Sequence, residues 1–522
     1  MNAWLVTVLV LALLLAALVA YDIVQRRHTI LRIFPVIGHF RYILERVGPE
    51  LRQYIVTDNN EERPFSRDQR RWVYASSKRE NNRFGFGSDN DMEKTANYLV
   101  IKPAPFPRPV DPAHSIENDR SEDRFELPVA KVLGAARGRK HAFRQRSAVN
   151  ISGMSFGALS GRAIEAINRG AGEAGCLQTT GEGGISPYHL HGGEIVFQVG
   201  TGYFGCRDAK GRFNLDALEE SVGRAPVRAV EIKLSQGAKP GLGGILPAAK
   251  VTPEIARARG VPAGVDCISP PAHTAFRNVD GLLDFAEQIA ERTGLPVGIK
   301  AAVGRLEVWH ELADQMQGGQ RGVDFITIDG GEGGTGAAPL AFTDHVSLPF
   351  KIGFSRVFKI FAERGIAERV VFTGSGRLGI PEAALMAFGL GCDTINVGRE
   401  AMLAVGCIQS QRCHTGNCPT GVATHKPWRT RGLVPKTKAE RVANYVIQLR
   451  GEVLALARTC GVSHPSLVSS NQLELLDGRF GSQSMDEVFG YLADWGVPQD
   501  GARKELEELM AQRAAGALGL SN

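Results

Sequence analysis

The sequence predicts a (β/α)8 TIM barrel carrying an N-terminal transmembrane helix, an irregular N-terminal cap and a helical C-terminal extension. Three observations carry that α/β assignment. Eight short β-branched runs, most of them ending in glycine, alternate with amphipathic stretches of helical length between residues 148 and 430. Glycine-rich turns follow the later runs, at the end where such barrels build their sites. A charge-free apolar run opens the chain. An open doubly wound sheet is the alternative arrangement of the same units.

The 522 residues, 43% apolar and 22% charged with 61 glycines, can bury a large core, which excludes a disordered chain, a collagen-like repeat and a disulfide scaffold. Sixty-one Lys plus Arg against 55 Asp plus Glu leave +6, a mild excess that gives no ground for nucleic acid as a partner. Three of the eight cysteines fall within twelve residues near 410, pointing to metal ligation in a reducing compartment.

The anchor occupies residues 1–24. No side chain from Met1 to Tyr21 is charged, and at about 1.5 Å per helical residue the run reaches about 30 Å, the thickness of a bilayer core. A cleaved signal peptide is the competing reading, but basic residues follow the run instead of preceding it. Arg26, Arg27, Arg32, Arg41, Arg46 and Arg52 face only Glu45 and Glu50. The positive-inside bias therefore predicts a single pass through the inner (cytoplasmic) membrane with everything after the helix in the cytoplasm. The same arginines could rest on anionic lipid or form an ordinary solvated face. Residues 25–147 read as the cap, from turn-forming stretches such as NNEERPF, RFGFGSDND and KPAPFPRPVDP.

The barrel is assigned to 148–430. Its strand candidates are AVNIS, CLQTT, EIVFQVG, VRAVEIKLS, PVGIKAA, VDFITID, RVVFTG and DTINVG. Residues 431–522 form the extension, with KAERVANYVIQLRGEVLALARTCG its clearest amphipathic helix, expected to pack outside the barrel.

Gly330, Gly331, Gly333 and Thr335 follow the sixth strand and free the backbone to approach a bound group. Gly374, Ser375 and Gly376 follow the seventh strand, and Gly398 and Arg399 the eighth, where barrels hold a phosphate-bearing cofactor. Residues 374–379 also fit G-x-G-x-x-G, but no acid lies where a nicotinamide site needs one. Met154 and Ser155, after the first strand, can offer backbone groups to a flat heteroaromatic edge. Lys233 and Lys300, inside apolar strands four and five, must meet an anion, a polarised ring or a barrel carboxylate. Glu182, after the second strand, could bind an amino group or move a proton, or be a solvated loop acid.

Cys407-x5-Cys413-x4-Cys418, followed by Pro419, has the spacing of an iron–sulfur ligand loop; a zinc site completed by His414 and three unliganded thiols are the alternatives. His189 and His191 read as ordinary loop residues, and Cys176, Cys206 and Cys267 as small apolar ones.

Six stretches in order, MSFGALS at 154, TGEGG at 180, QGAKPG at 236, GGEGGTGAAPL at 330, TGSGRL at 373 and CHTGNCPTGVATH at 413, resemble the FMN-binding synthase domain of glutamate synthase over roughly residues 90–430. The resemblance implies FMN and a 3Fe-4S cluster, with 2-iminoglutarate reduced at the flavin to L-glutamate. It makes Cys407, Cys413 and Cys418 the cluster ligands. The turns around Ser155, Gly331, Gly374, Gly376 and Gly398 become FMN contacts, together with Met154, Lys233, Gln236 and Lys300, while Glu182 and Lys239 handle the 2-oxo acid and amino group.

The sequence departs from the family at Gly241-Leu242-Gly243-Gly244-Ile245, where the family reads G-E-G-G-Q, so a different acid is expected as substrate. Residue 2 is Asn2, not a cysteine nucleophile, and nitrogen is expected from ammonia, a partner subunit or another substrate. Electrons are expected from ferredoxin, a separate reductase or the membrane side. A flavin-dependent 2-hydroxy or amino acid dehydrogenase feeding a membrane acceptor, and a non-catalytic membrane subunit, are the alternative functions. Homo-oligomer formation is left open.

Overall fold

The computed structural model describes residues 3–47, 62–88, 90–108 and 126–517. Arg52 and Glu50, two of the juxtamembrane charges, lie outside the described residues.

The eight predicted runs are the eight barrel strands. Val149–Ile151, Gln178–Thr179, Ile195–Val199, Val227–Lys233, Val297–Ala301, Phe325–Asp329, Val371–Ser375 and Thr394–Val397 are parallel and pair in chain order. The eighth returns to the first with Asn396 opposite Asn150, so the sheet is closed and the open alternative is excluded. Inside the barrel Glu231 is buried, accepting from Gln198 Nε2 at 2.5 Å and Thr327 Oγ1 at 2.8 Å, so its charge ties three strands together.

Local chemistry sets the connecting helices. Ser160 accepts from the Ala163 amide to start Gly161–Ala174, and left-handed Gly175 stops it. Asn214 and Asn278 cap the next two predicted helices, Leu215–Gly223 and Val279–Thr293. The amphipathic run in the extension becomes Pro435–Thr459, lying along Gly161–Ala174 outside the barrel. Their close approach depends on Gly170, where a Cβ would stand 2.6 Å from Ala439 O and 2.7 Å from Val442 Cβ.

The cap holds a helix, Arg67–Lys78, opened by a reciprocal Ser66–Gln69 box and packed on the extension helix through Trp72, whose ring meets Tyr445 edge-on at 6.1 Å. A small sheet has no counterpart in the sequence reading. Tyr98–Ile101 pairs with Leu473–Leu476, which pairs with Ser482–Ser484, joining cap to extension. Strands of three or four residues leave no periodic signal, and Tyr98–Ile101 finds its partner far away in sequence.

Ala3–Val24 is one helix, long and apolar enough to cross a membrane. Its foot is fixed to the body. Buried Asp22 accepts from the Val36 amide and pairs with His39, both at 2.8 Å, while Arg441 donates to Arg27 O at 2.9 Å.

Helix propensity alone would make Gly170→Ala stabilising. Against the Ala439 carbonyl, overpacking at about 1–3 kcal/mol should win. A lowered Tm in thermal denaturation is expected, and a raised one would show that the two helices yield.

Candidate active site

A cavity of about 420 Å3 opens at the carboxyl end of the barrel. Met154, Ser155, Glu182, Lys233, Gln236 and Lys239 line it, with Thr335 from the sixth-strand loop. The turn that presents Glu182 needs glycine at 181: φ is +71°, and a Cβ would lie 2.5 Å from Ser155 N. That contact fixes the first two strand-end loops against each other.

Lys233 reaches Glu182 at 3.2 Å and donates to Gln236 Oε1 at 2.5 Å. Burial pushes the Glu182 carboxyl up, but Lys233, Lys239 and Arg259 outweigh it and hold it below the usual carboxylate range. Lys239 donates to Gly243 O at 3.2 Å. Burial, aided by Lys233 and opposed by Glu182, lowers its ammonium from the ordinary lysine value and eases it toward the neutral form.

Two cavity residues were not among the sequence candidates. Arg259, at the end of Pro253–Arg259, bonds the Phe156 carbonyl at 3.2 Å and Ser155 Oγ at 3.3 Å, while its buried Nε has no partner. Lys250 donates to Cys413 O at 3.0 Å. Among the described lining residues, four cations (Lys233, Lys239, Lys250, Arg259) face one carboxylate, Glu182. Such a wall favours an anionic guest.

The other forecast residues lie off this wall, for identifiable reasons. Lys300 pairs with Asp329 at 3.6 Å, the barrel-carboxylate outcome, and both are buried. Burial raises the Asp329 carboxyl, but Lys300 and the Gly237 amide, which donates at 2.9 Å, hold it below its ordinary range. Gly330 N donates to Ser375 O at 2.8 Å, Gly331 N to Leu348 O at 2.9 Å and Gly333 N to Gly330 O at 2.9 Å, so this turn packs against its own chain. Gly374 and Ser375 are interior strand residues, with Gly376 against Gly330 and Gly398 against Ser152. Arg399 turns to the Glu332 carbonyl, and its guanidinium and that of Arg377 stand 5.1 and 5.4 Å over the ring of Phe65 from the cap. The G-x-G-x-x-G turn is filled by its own chain: Tyr445 donates to Gly379 O at 2.8 Å, and Gly379 N to Glu400 at 3.1 Å. His189 is buried, accepting at Nδ1 from the Ser186 amide at 3.1 Å, as an ordinary loop histidine does.

The cysteine loop abuts the cavity. Cys413 and His414 line it, and a Cβ on Gly336 would lie 2.8 Å from Cys413 Cβ. Burial pushes the Cys407 thiol up to about 12, with Cys418 and Cys413 adding to the rise, so the three sense one another. Among the described residues no three His, Cys, Asp or Glu side chains are grouped to hold a metal ion, whether zinc or a cluster.

The residues present fit a flavin nucleotide in one respect that can be tested on geometry. The cavity joins bare glycine backbone, a Lys–Gln pair for polar ring edges, and a cationic wall with an unpartnered guanidinium Nε. Fold and site together define a parallel-barrel protein with a cationic mouth beside a cysteine loop. The conserved region of glutamate synthase matches residues 104–463. The glutamate synthase large subunit-like protein YerD of Bacillus subtilis (strain 168) is 37% identical over 467 residues, 84% of this chain and 88% of that one. The archaeal glutamate synthase (NADPH) of Methanocaldococcus jannaschii is 34% identical over 330 residues, 62% of this chain and 61% of that one. Ferredoxin-dependent glutamate synthase 1, chloroplastic/mitochondrial, of Arabidopsis thaliana is 32% identical over 389 residues, 70% of this chain and 22% of that one. The chain belongs to the glutamate synthase family, oxidoreductases acting on CH–NH2 groups.

Because Glu182 titrates below its ordinary 4.5, its ionised form stabilises the fold above that pH, and the contribution fades as pH falls through the folded value. Glu182→Gln should therefore lower Tm at pH 7, with the gap to the parent closing in acid. A gap that stays constant with pH would sink this assignment.

Proposed function

We propose that the protein is a membrane-anchored, FMN-dependent and iron–sulfur oxidoreductase of the glutamate synthase type. It reduces 2-iminoglutarate or a related imino acid to the amino acid on the cytoplasmic side of the inner membrane, with electrons from a separate donor such as ferredoxin or a reductase subunit. The observation that carries this reading is that Cys413 lines the same cavity as Glu182, Lys239 and Arg259.

FMN, when bound, supplies hydride transfer; the residues of this chain supply position and charge. Arg259 and Lys239 offer donors to the substrate carboxylate. Glu182, kept ionised by its cationic neighbours, accepts from the substrate's N–H, and Lys239 Nζ, eased toward neutrality, can move a proton at that nitrogen. Met154, Ser155, Lys233, Gln236 and Thr335 are the residues placed to hold the cofactor at the cavity. Cys407, Cys413 and Cys418 would hold a 3Fe-4S cluster, which supplies single-electron transfer. What supports the cluster is the ligand spacing Cys407-x5-Cys413-x4-Cys418 with Pro419 after it. Loading it must release the protons that burial favours on the Cys407 and Cys413 thiols.

A second reading is favoured by the lip of the cavity. Ile245, where the family has an amide, is 57% exposed, and Leu242 is exposed beside it. This suits a more apolar amino or hydroxy acid oxidised toward a membrane acceptor. Stopped-flow bleaching by a panel of such acids separates the two, since the synthase reading predicts fast bleaching only by its own product.

Visible and EPR spectra of detergent-purified protein test the cofactors. Changing Cys407, Cys413 and Cys418 together to Ser should abolish bound iron and leave the flavin absorbance; full iron content in that variant would reject the ligand set. Arg259→Ala should raise substrate KM tenfold to a hundredfold, from loss of a charge-assisted bond of about 1.5–3 kcal/mol. An unchanged KM would remove Arg259 from the carboxylate site.

A further inference from the structure

A second cavity, a groove of about 870 Å3, lies between the foot of the anchor helix and the cysteine loop, and nothing above uses it. One wall is the helix Gly38–Arg46, separated from the anchor by the short helix Thr29–Ile33, and it brings Phe40 and Leu44 to the groove. Its apolar side chains stand open: Ile37 is 76% exposed, Phe40 63% and Ile43 57%. A run of large apolar groups this open marks a face built for something apolar. The opposite wall is the cap helix Arg67–Lys78, with Arg70, Arg71 and Tyr74. The floor is the cysteine loop: Pro419, which follows Cys418, lines the groove, and Tyr74 donates from its hydroxyl to Cys407 O at 2.8 Å.

We infer that this groove takes the head group of a membrane quinone. The inference rests on the anchored, iron–sulfur reading above. Three features select that class together. Ile30, Phe34 and Ile37 line the groove from the segment that joins the anchor helix to Gly38–Arg46, so a lipid-soluble tail can stay with the apolar face. The guanidinium groups of Arg70 and Arg71 on the far wall suit a compact ring with acceptor oxygens, while the Tyr74 hydroxyl is already committed to Cys407 O. The floor belongs to the loop assigned to electron transfer, which a phospholipid would have no use for. The balance closes. A quinol oxidised here gives up two electrons and two protons and leaves as quinone, and turning one C=N into CH–NH takes up the same two electrons and two protons. Run backward, oxidation of an amine loads the quinone.

The test uses full-length protein in lipid nanodiscs and a photoreactive azidoquinone carrying one isoprenoid unit, with cross-links mapped by mass spectrometry. Label is expected in residues 34–45 and 67–84, displaced by excess unreactive quinone but not by phosphatidylglycerol. Phe40→Glu and Leu44→Glu, at exposed positions, should each reduce labelling at least tenfold with flavin absorbance unchanged. Label confined to Ala3–Val24, label displaced equally by phospholipid, or undiminished label in both variants would overturn the inference. Protein containing flavin and iron but lacking the labelling pattern refutes the quinone site alone. Colourless, iron-free protein that keeps the pattern supports the site and refutes the cofactor reading.

Discussion

The mouth of the barrel depends on separating two like charges. Lys233 and Lys300 stand opposite each other on adjacent strands, an arrangement that costs energy unless each ammonium finds an anion elsewhere. Each does: Lys233 turns to Glu182 from the second strand's loop, and Lys300 to Asp329 at the end of the sixth strand. The carboxylates then organise what surrounds them. Asp329 takes the Gly237 amide and so fixes the loop that carries Gln236 and Lys239. One electrostatic requirement thus joins loops from four strands and leaves the remaining cations facing the cavity.

The barrel was legible because its strands and helices alternate with a clear change of period, and caps such as Ser160 and Asn278 mark where helices begin. The small sheet between cap and extension was not, since its pairing is set by tertiary contact alone. The site divides the same way. Motif glycines placed Ser155, Glu182 and Thr335 on the cavity, because a loop at a strand end has few directions to take. Lys300 and the turns at Gly374 and Gly398 lie outside the lining of this cavity, because sequence does not say which way a strand-end residue turns. Arg259 was hidden by an ordinary appearance: a basic residue in the last turn of a short helix reads as a dipole partner. Its signal, had it been weighed, was glycine at 157 and 183, where added Cβ atoms would crowd its guanidinium at 3.1 and 3.2 Å.

The cap does more than cover the barrel. Phe65 exchanges two 3.1 Å hydrogen bonds with Gln409, in the loop between Cys407 and Cys413, and its ring carries the guanidinia of Arg377 and Arg399. Tyr74, about two turns into the cap helix, holds the carbonyl of Cys407. A segment that looked irregular in sequence therefore sets the conformation of the cysteine loop from outside the barrel. Lys250 and Gly336 constrain the same loop from the cavity side.

At the foot of the anchor, Asp22 is sealed under His39 and the Val36 amide, and Arg441 grips the chain five residues on. A helix joined in this way is tied to the body at its foot, not by a leash. Under the proposed anchoring, these ties would hold the catalytic body at one attitude to the surface that the helix enters, so that the same flank would meet neighbours diffusing in that plane and their search for it would be reduced to two dimensions.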